Sequence, residues 1–183
     1  MPAEAAVAAL RHGIVYNMRR ERHGELEFTM QEKIEKDGLA SSQDRKDALA
    51  REAPVAAKGV WARFGGQVYL CGTLGAEFDV WQRRLAALSG ADAYFSQQIG
   101  LDAVEREMDR LENEARASLA PGETLKPRRS PGYGEMPLSL SREIVDRLEA
   151  TRRIGVAVTD SCLLVPSKSV TAICEIGGCD GRD

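Results

Sequence analysis

Apolar residues recur at helical spacing in two long segments of the chain. Leu74, Phe78, Trp81, Leu85 and Leu88 step by fours and threes, and Val104, Met108, Leu111, Ala115 and Leu119 do the same or nearly so. Single apolar stripes of this kind predict two amphipathic helices packed on a sheet. Glu105, Asp109, Glu112 and Arg116 fill the opposite face of the second helix and read as a solvated face. Upstream, Leu26, Met30 and Ile34 at intervals of four predict a helix over Glu25–Lys36, stopped by Gly38, and the polar stretch that follows allows a second short helix around Asp44–Arg51. Between these regions, Val55–Phe64 and Gln67–Gly72 read as two strands around the hairpin-type dipeptide Gly65-Gly66.

The second half of the chain is punctuated differently. Pro121-Gly122 ends the long helix, and Lys126–Pro137 carries three prolines and two glycines but also Tyr133 and Met136 as apolar anchors, so it reads as an ordered loop. Ser141 is placed to cap a helix running through Thr151, with Leu140, Ile144 and Leu148 inward. Ile154–Thr159 reads as a strand, Ser161–Lys168 as a turn segment around Pro166, and Ser169–Ile176 as a last strand. Helices and strands are mixed without regular βαβ alternation. This predicts a single α+β domain with packed helices on a twisted, mostly antiparallel sheet. Residues 1–54 would be a helical segment of that domain, 55–176 its core and 177–183 a polar tail.

Composition narrows the function classes. A chain of 183 residues suits one domain, and 43% hydrophobic with 29% charged residues is ordinary globular usage. A formal net charge of -3 makes no case for nucleic-acid binding. No apolar run approaches the ~20 residues that span a bilayer. Met1–Leu10 carries Glu4 and no basic lead, so it is a poor export signal, and the four cysteines are expected to be reduced thiols in a cytoplasmic protein. Cys162, Cys174 and Cys179 are spaced C-x11-C and C-x4-C, a poor metal-ligand pattern, which favours buried or incidental thiols over a cysteine-based metal or redox protein. His12 and His23 lie in the unpatterned N-terminal region, Trp61 and Trp81 fall at packing positions, and a single turn lysine, Lys168, is expected to be exposed. No Ser-His-Asp set, phosphate-binding loop or dinucleotide fingerprint is present.

The most informative segment is Arg128-Arg129-Ser130-Pro131-Gly132-Tyr133-Gly134. Pro131 fixes one backbone angle while Gly132 and Gly134 permit positive φ, so main-chain groups can be turned toward a ligand at close range. Arginines at the loop entrance suit a carboxylate or phosphate, and a tyrosine suits a heterocycle. By itself the loop reads first as a structural turn.

Two linked motifs change that. The pair Arg-x-x-Pro-Gly-Tyr-Gly-x-x-Pro-Leu, then Ile154-Gly155-Val156-x-Val158-Thr159-Asp160-Ser161 continuing to Pro166 and Ser169-Val170, resembles the activation (reactivation) domain of cobalamin-dependent methionine synthase. The helices from Gly72-Thr73-Leu74-Gly75 through Leu119 are similar too, so the likeness covers roughly residues 55–176. The resemblance implies a free-standing S-adenosylmethionine-binding domain that supports reductive methylation of a cobalamin carried by a separate corrinoid-binding protein or by methionine synthase modules, with a flavoprotein or other electron donor. Carried over residue by residue, it assigns Arg128 to the ligand carboxylate, Ser130, Pro131 and Gly132 to main-chain contacts, and Tyr133 to the loop's tyrosine. It also calls for an acidic partner to the ligand ammonium, for which Glu107, Glu105 and Glu123 are candidates. Arg129 stands where the family has an uncharged residue. An interaction module that docks on a corrinoid protein without S-adenosylmethionine is the other reading.

Overall fold

A computed structural model describes residues 36–178 and one short pair of strands before them. Two compact units divide the chain, Met1–Ala48 and Leu49–Asp183. In the first, β1 (Arg19–Arg20) and β2 (Leu26–Glu27) pair antiparallel. Helix α1 spans Lys36–Glu52. The helix expected over Glu25–Lys36 is thus corrected at Leu26, which lies in a strand, and at Gly38, which lies inside α1. The cost of a helical glycine is small, about 1 kcal/mol, and does not by itself stop a helix. Met30, Ile34, His12 and His23 lie outside the described residues, as does Cys179.

The second unit is built on a four-stranded antiparallel sheet. Its strands are β3 (Lys58–Phe64), β4 (Gln67–Thr73), β5 (Glu123–Leu125) and β8 (Ser169–Gly178), in the order β3-β4-β8-β5. β3 and β4 form the expected hairpin around Gly65-Gly66, with Lys58 opposite Thr73 and Phe64 opposite Gln67. The chain then leaves through α2 (Ala76–Leu88) and α3 (Gly90–Ala117), passes β5, and crosses α4 (Leu140–Arg147) and α5 (Ala150–Ile154). A small hairpin, β6 (Ala157–Val158) and β7 (Leu164–Val165), precedes β8.

Alternation along β4 divides the core, because successive strand residues face opposite sides of a sheet. Tyr69 and Cys71 pack with Val60, Ile173 and the α4–α5 residues Ile144, Val145, Leu148 and Ala150. Val68 and Leu70 pack on the other face with Met108, Leu111 and Ala115 of α3. A third cluster joins Leu49 at the end of α1 to Leu74, Phe78, Ile99, Ala103 and Val104. The expected stripes therefore bury, with one exception. Leu88 ends α2 at 82% exposed. Ser89 follows it and caps α3, its Oγ accepting from the Asp92 amide at 3.2 Å. That cap starts α3 well before its apolar stripe begins, a start the stripe alone does not show.

Three further expectations are corrected. Ser141 does not cap α4. It lies inside the helix, 2% exposed, with its Oγ 3.2 Å from Thr171 Oγ1. The single helix expected through Thr151 is two, because Glu149 adopts a left-handed φ of 51° between them. The strand expected over Ile154–Thr159 shrinks to two residues. Among the described residues, no helix is long and apolar enough to cross a membrane.

The contact between α3 and the hairpin depends on Gly59. A methyl there would sit 2.5 Å from Glu107 Oε1 and 2.6 Å from Leu111 Cδ1. Gly59→Ala is expected to cost about 1–3 kcal/mol by overpacking. A urea titration checks it: the midpoint falls with the slope unchanged, and an unmoved midpoint would mean that α3 gives way freely.

Candidate functional site

The Arg128–Gly134 loop is attached to the sheet before it turns away. Beyond β5, the Lys126 amide donates to the Glu175 carbonyl at 2.9 Å. Arg129 and Ile173 then exchange two backbone hydrogen bonds, at 2.9 and 2.8 Å. After this bridge the chain curls on itself. The Gly132 amide reaches the Met136 carbonyl at 2.9 Å, with Gly132 at φ 91°, a conformation that other residues rarely adopt. Pro131 is buried and Tyr133 projects, 79% exposed.

A cavity of about 450 Å³ lies beside this curl. Ser130, Pro131 and Tyr133 form one wall, and Leu101 and Glu105 of α3 another. The tip of the β6–β7 hairpin contributes Cys162 and Leu163, and β8 contributes Ser169, Val170 and Thr171. These walls are held from behind. Asp79 of α2 accepts both the Ser167 amide (2.7 Å) and the Ser167 hydroxyl (2.8 Å). The Leu74 amide donates to the Lys168 carbonyl at 2.9 Å, and Ser169 Oγ lies 2.8 Å from Thr73 Oγ1. At the hairpin tip the Leu163 amide donates to Thr159 Oγ1 at 3.0 Å.

Arg128 is turned from the cavity toward α3. Its Nη2 lies 2.6 Å from Glu105, and its Nη1 lies 2.6 Å from Asp109 and 3.1 Å from Glu112. Glu112 also holds Arg116 at 2.8 Å. The charged face of α3, read from sequence as solvated, is therefore largely an ion-pair surface. Burial works to lower the Arg128 pKa, but the hydrogen bonds that it donates to Asp109, Glu105 and Glu112 outweigh it and raise it. The guanidinium is a fixed positive charge.

The structure brings together Ser130, Pro131 and Tyr133 of the expected set. Gly132 lies in the curl between them without lining the cavity. Glu107 does not join them. It is 7% exposed, bound by Arg110 at 2.6 Å, and packed against Gly59. Residues two apart on a helix project roughly 200° apart, so Glu105 and Glu107 cannot share a wall. Glu105 is the acid that lines the cavity. Glu123 is occupied elsewhere by Arg63 at 2.7 Å. Asp79 carried no sequence signal and Asp109 read only as part of a solvated face, since their contacts with Ser167 and Arg128 lie far along the chain. Arg129 is 61% exposed and pairs with Glu175 at the surface. Lys168, expected exposed, is half-buried and bonded to Gln97, and burial lowers its pKa against the opposing charge of Asp79.

No family model matches the chain, and no curated protein matches it. Solved structures do match. The crystal structure of the MetH reactivation domain bound to AdoHcy aligns with 84% of this chain and 71% of its own, at a TM-score of 0.50 and 16% identity. The chain has the reactivation-domain fold.

Pockets for small organic ligands run to roughly 300–1,000 Å³, with apolar walls and a few polar groups. Here Leu101, Leu163 and Val170 supply apolar surface, the serine hydroxyls and Tyr133 supply hydrogen-bonding groups, and Glu105 supplies an anion. The donor set fits.

A metal reading finds less support. Among the described residues, no three histidine, cysteine or acidic side chains gather as a metal site. Cys71 and Cys174 are buried on opposite faces of the sheet. Burial pushes the Cys71 thiol up to about 12, and Cys174 up to about 11 by burial and then by the Glu112 charge. Thiolate is thus scarce at both near neutral pH. Of the three described cysteines, a disulfide reagent acting on the native chain at pH 8 is expected to modify Cys162 and to leave Cys71 and Cys174 until denaturant is added. Early mass labelling at Cys71 would contradict this burial.

Proposed function

We propose that this chain is an S-adenosylmethionine-binding reactivation domain that supports reductive methylation of a cobalamin presented by another polypeptide. The observation that carries the reading is the cavity itself, which sets Ser130, Pro131 and Tyr133 of the sequence motif against Glu105 beneath the hairpin tip. The fold match to a domain solved with AdoHcy supports the same ligand class.

The protein's part would be binding and orientation rather than acid–base catalysis. Glu105 would take the ligand's ammonium, and the main chain and hydroxyl of Ser130 its polar edge. Tyr133, already projecting, would lie on or bond to the adenosyl group. When bound, the sulfonium supplies a transferable methyl group. The partner would be a corrinoid-binding protein or methionine synthase module, with a flavoprotein or similar donor providing the electron, in a cytoplasmic setting.

A second reading, docking on a corrinoid protein without this ligand, draws on one observation: Arg128 is already spent on three carboxylates. Calorimetric titration with S-adenosylmethionine separates the two. The first reading expects saturable binding, and silence at millimolar ligand would leave only the second. Glu105→Gln is expected to weaken binding about five- to tenfold, a modest loss because the side chain is half in water. Tyr133→Phe should keep any ring contact and lose only what the hydroxyl gives.

A further inference from the structure

We propose that Asp109 and Glu112 set this site's preference among ligands, by competing with a ligand carboxylate for the Arg128 guanidinium. The inference rests on the adenosyl-ligand reading above.

The geometry carries it. Arg128 sits at the entrance of the loop whose Ser130, Pro131 and Tyr133 line the cavity, yet it does not line the cavity. Its two terminal nitrogens are both engaged, Nη1 by Asp109 and Glu112 and Nη2 by Glu105. The end-on fork that would grip a carboxylate through two parallel bonds is therefore taken. With Arg116, which Glu112 also holds, the group carries two positive and three negative charges, so it stands one charge negative. A carboxylate arriving here meets net repulsion, while an ammonium or sulfonium meets attraction.

Three acids are more than one arginine needs for attachment. Only Glu105 reaches the cavity wall. Asp109 and Glu112 lie one and two turns further along α3, where they draw the guanidinium away from the opening. Glu112 keeps Arg116 as a partner when Arg128 leaves. Asp109 is the more exposed of the two, 61% against 16%, so its charge is the one that can be removed with least disturbance.

The test compares two ligands that differ in one group: S-adenosylhomocysteine and its decarboxylated amine. Dissociation constants are measured by calorimetry for the wild-type chain, Asp109→Asn and Asp109→Asn/Glu112→Gln, with helical ellipticity confirming that each variant is folded. Asp109→Asn is expected to tighten S-adenosylhomocysteine about three- to tenfold, the scale of a released half-exposed ion pair, and to move the amine less than about twofold. Asp109→Glu should restore the wild-type ratio. A change of equal size for both ligands would overturn the proposal, since the acids would then only order the loop. So would S-adenosylhomocysteine binding that is unchanged or weaker. If neither ligand binds the wild-type chain, the functional reading fails and takes this proposal with it, whereas binding with an unaltered ratio removes the proposal alone.

Discussion

Strand β8 is paired along both of its edges, and the candidate site exists because of that double pairing. One edge takes β4 from Gln67 to Thr73. The other takes β5 and then, past a short gap, Arg129 opposite Ile173. The second pairing delivers the Arg128–Gly134 loop to the end of the sheet where Ser169, Val170 and Thr171 emerge. An unpaired buried backbone group costs free energy comparable to a lost hydrogen bond, so the Arg129–Ile173 bridge is a strong register lock for so short a contact.

What surrounds the loop follows from charge and burial. Arg128 leaves the sheet close to α3 and finds three carboxylates on one helix face. Glu107, on another face of that helix, is buried with Arg110 against a glycine of β3. The same helix thus serves two chemistries. One face closes the core through Met108, Leu111 and Ala115, and another carries the acids that hold Arg128, of which Glu105 reaches the cavity. Because α3 is packed on the sheet through Met108, Leu111 and Ala115, Glu105 is held relative to Ser130 and Pro131 by the hydrophobic core rather than by a loop. A binding group on a rigid element can be placed more closely than one on a flexible segment.

The remaining wall is the least regular part of the second unit. The β6–β7 hairpin has only two residues in each strand, and its tip leaves Leu163 exposed beside Tyr133 and Leu101. Asp79 and Thr73 fasten the segment that follows it. Few buried apolar contacts support the tip, which is the character expected of a part that adjusts to a ligand.

Much of this was legible in the residues alone. The stripes Phe78–Leu85 and Val104–Ala115 specify α2 and α3, Gly65-Gly66 specifies the hairpin, and Pro131, Gly132 and Gly134 specify a tightly turned loop. These signals are local: periodicity and turn chemistry act over a few residues, and the structure kept them. The start of α3 at Ser89, the break at Glu149 and the interior placement of Ser141 were not legible, because each depends on a neighbour distant in the chain or on a cap that propensity does not specify. The choice between Glu105 and Glu107 illustrates the limit. Sequence made both available to a ligand, and only the face on which α3 meets β3 decided between them. The sequence by itself determined the two long helices α2 and α3 and the β3–β4 hairpin, since those depend on local patterns. Tertiary structure alone decided which charges meet, because a charge is assigned its partner by whatever the packed core brings alongside it.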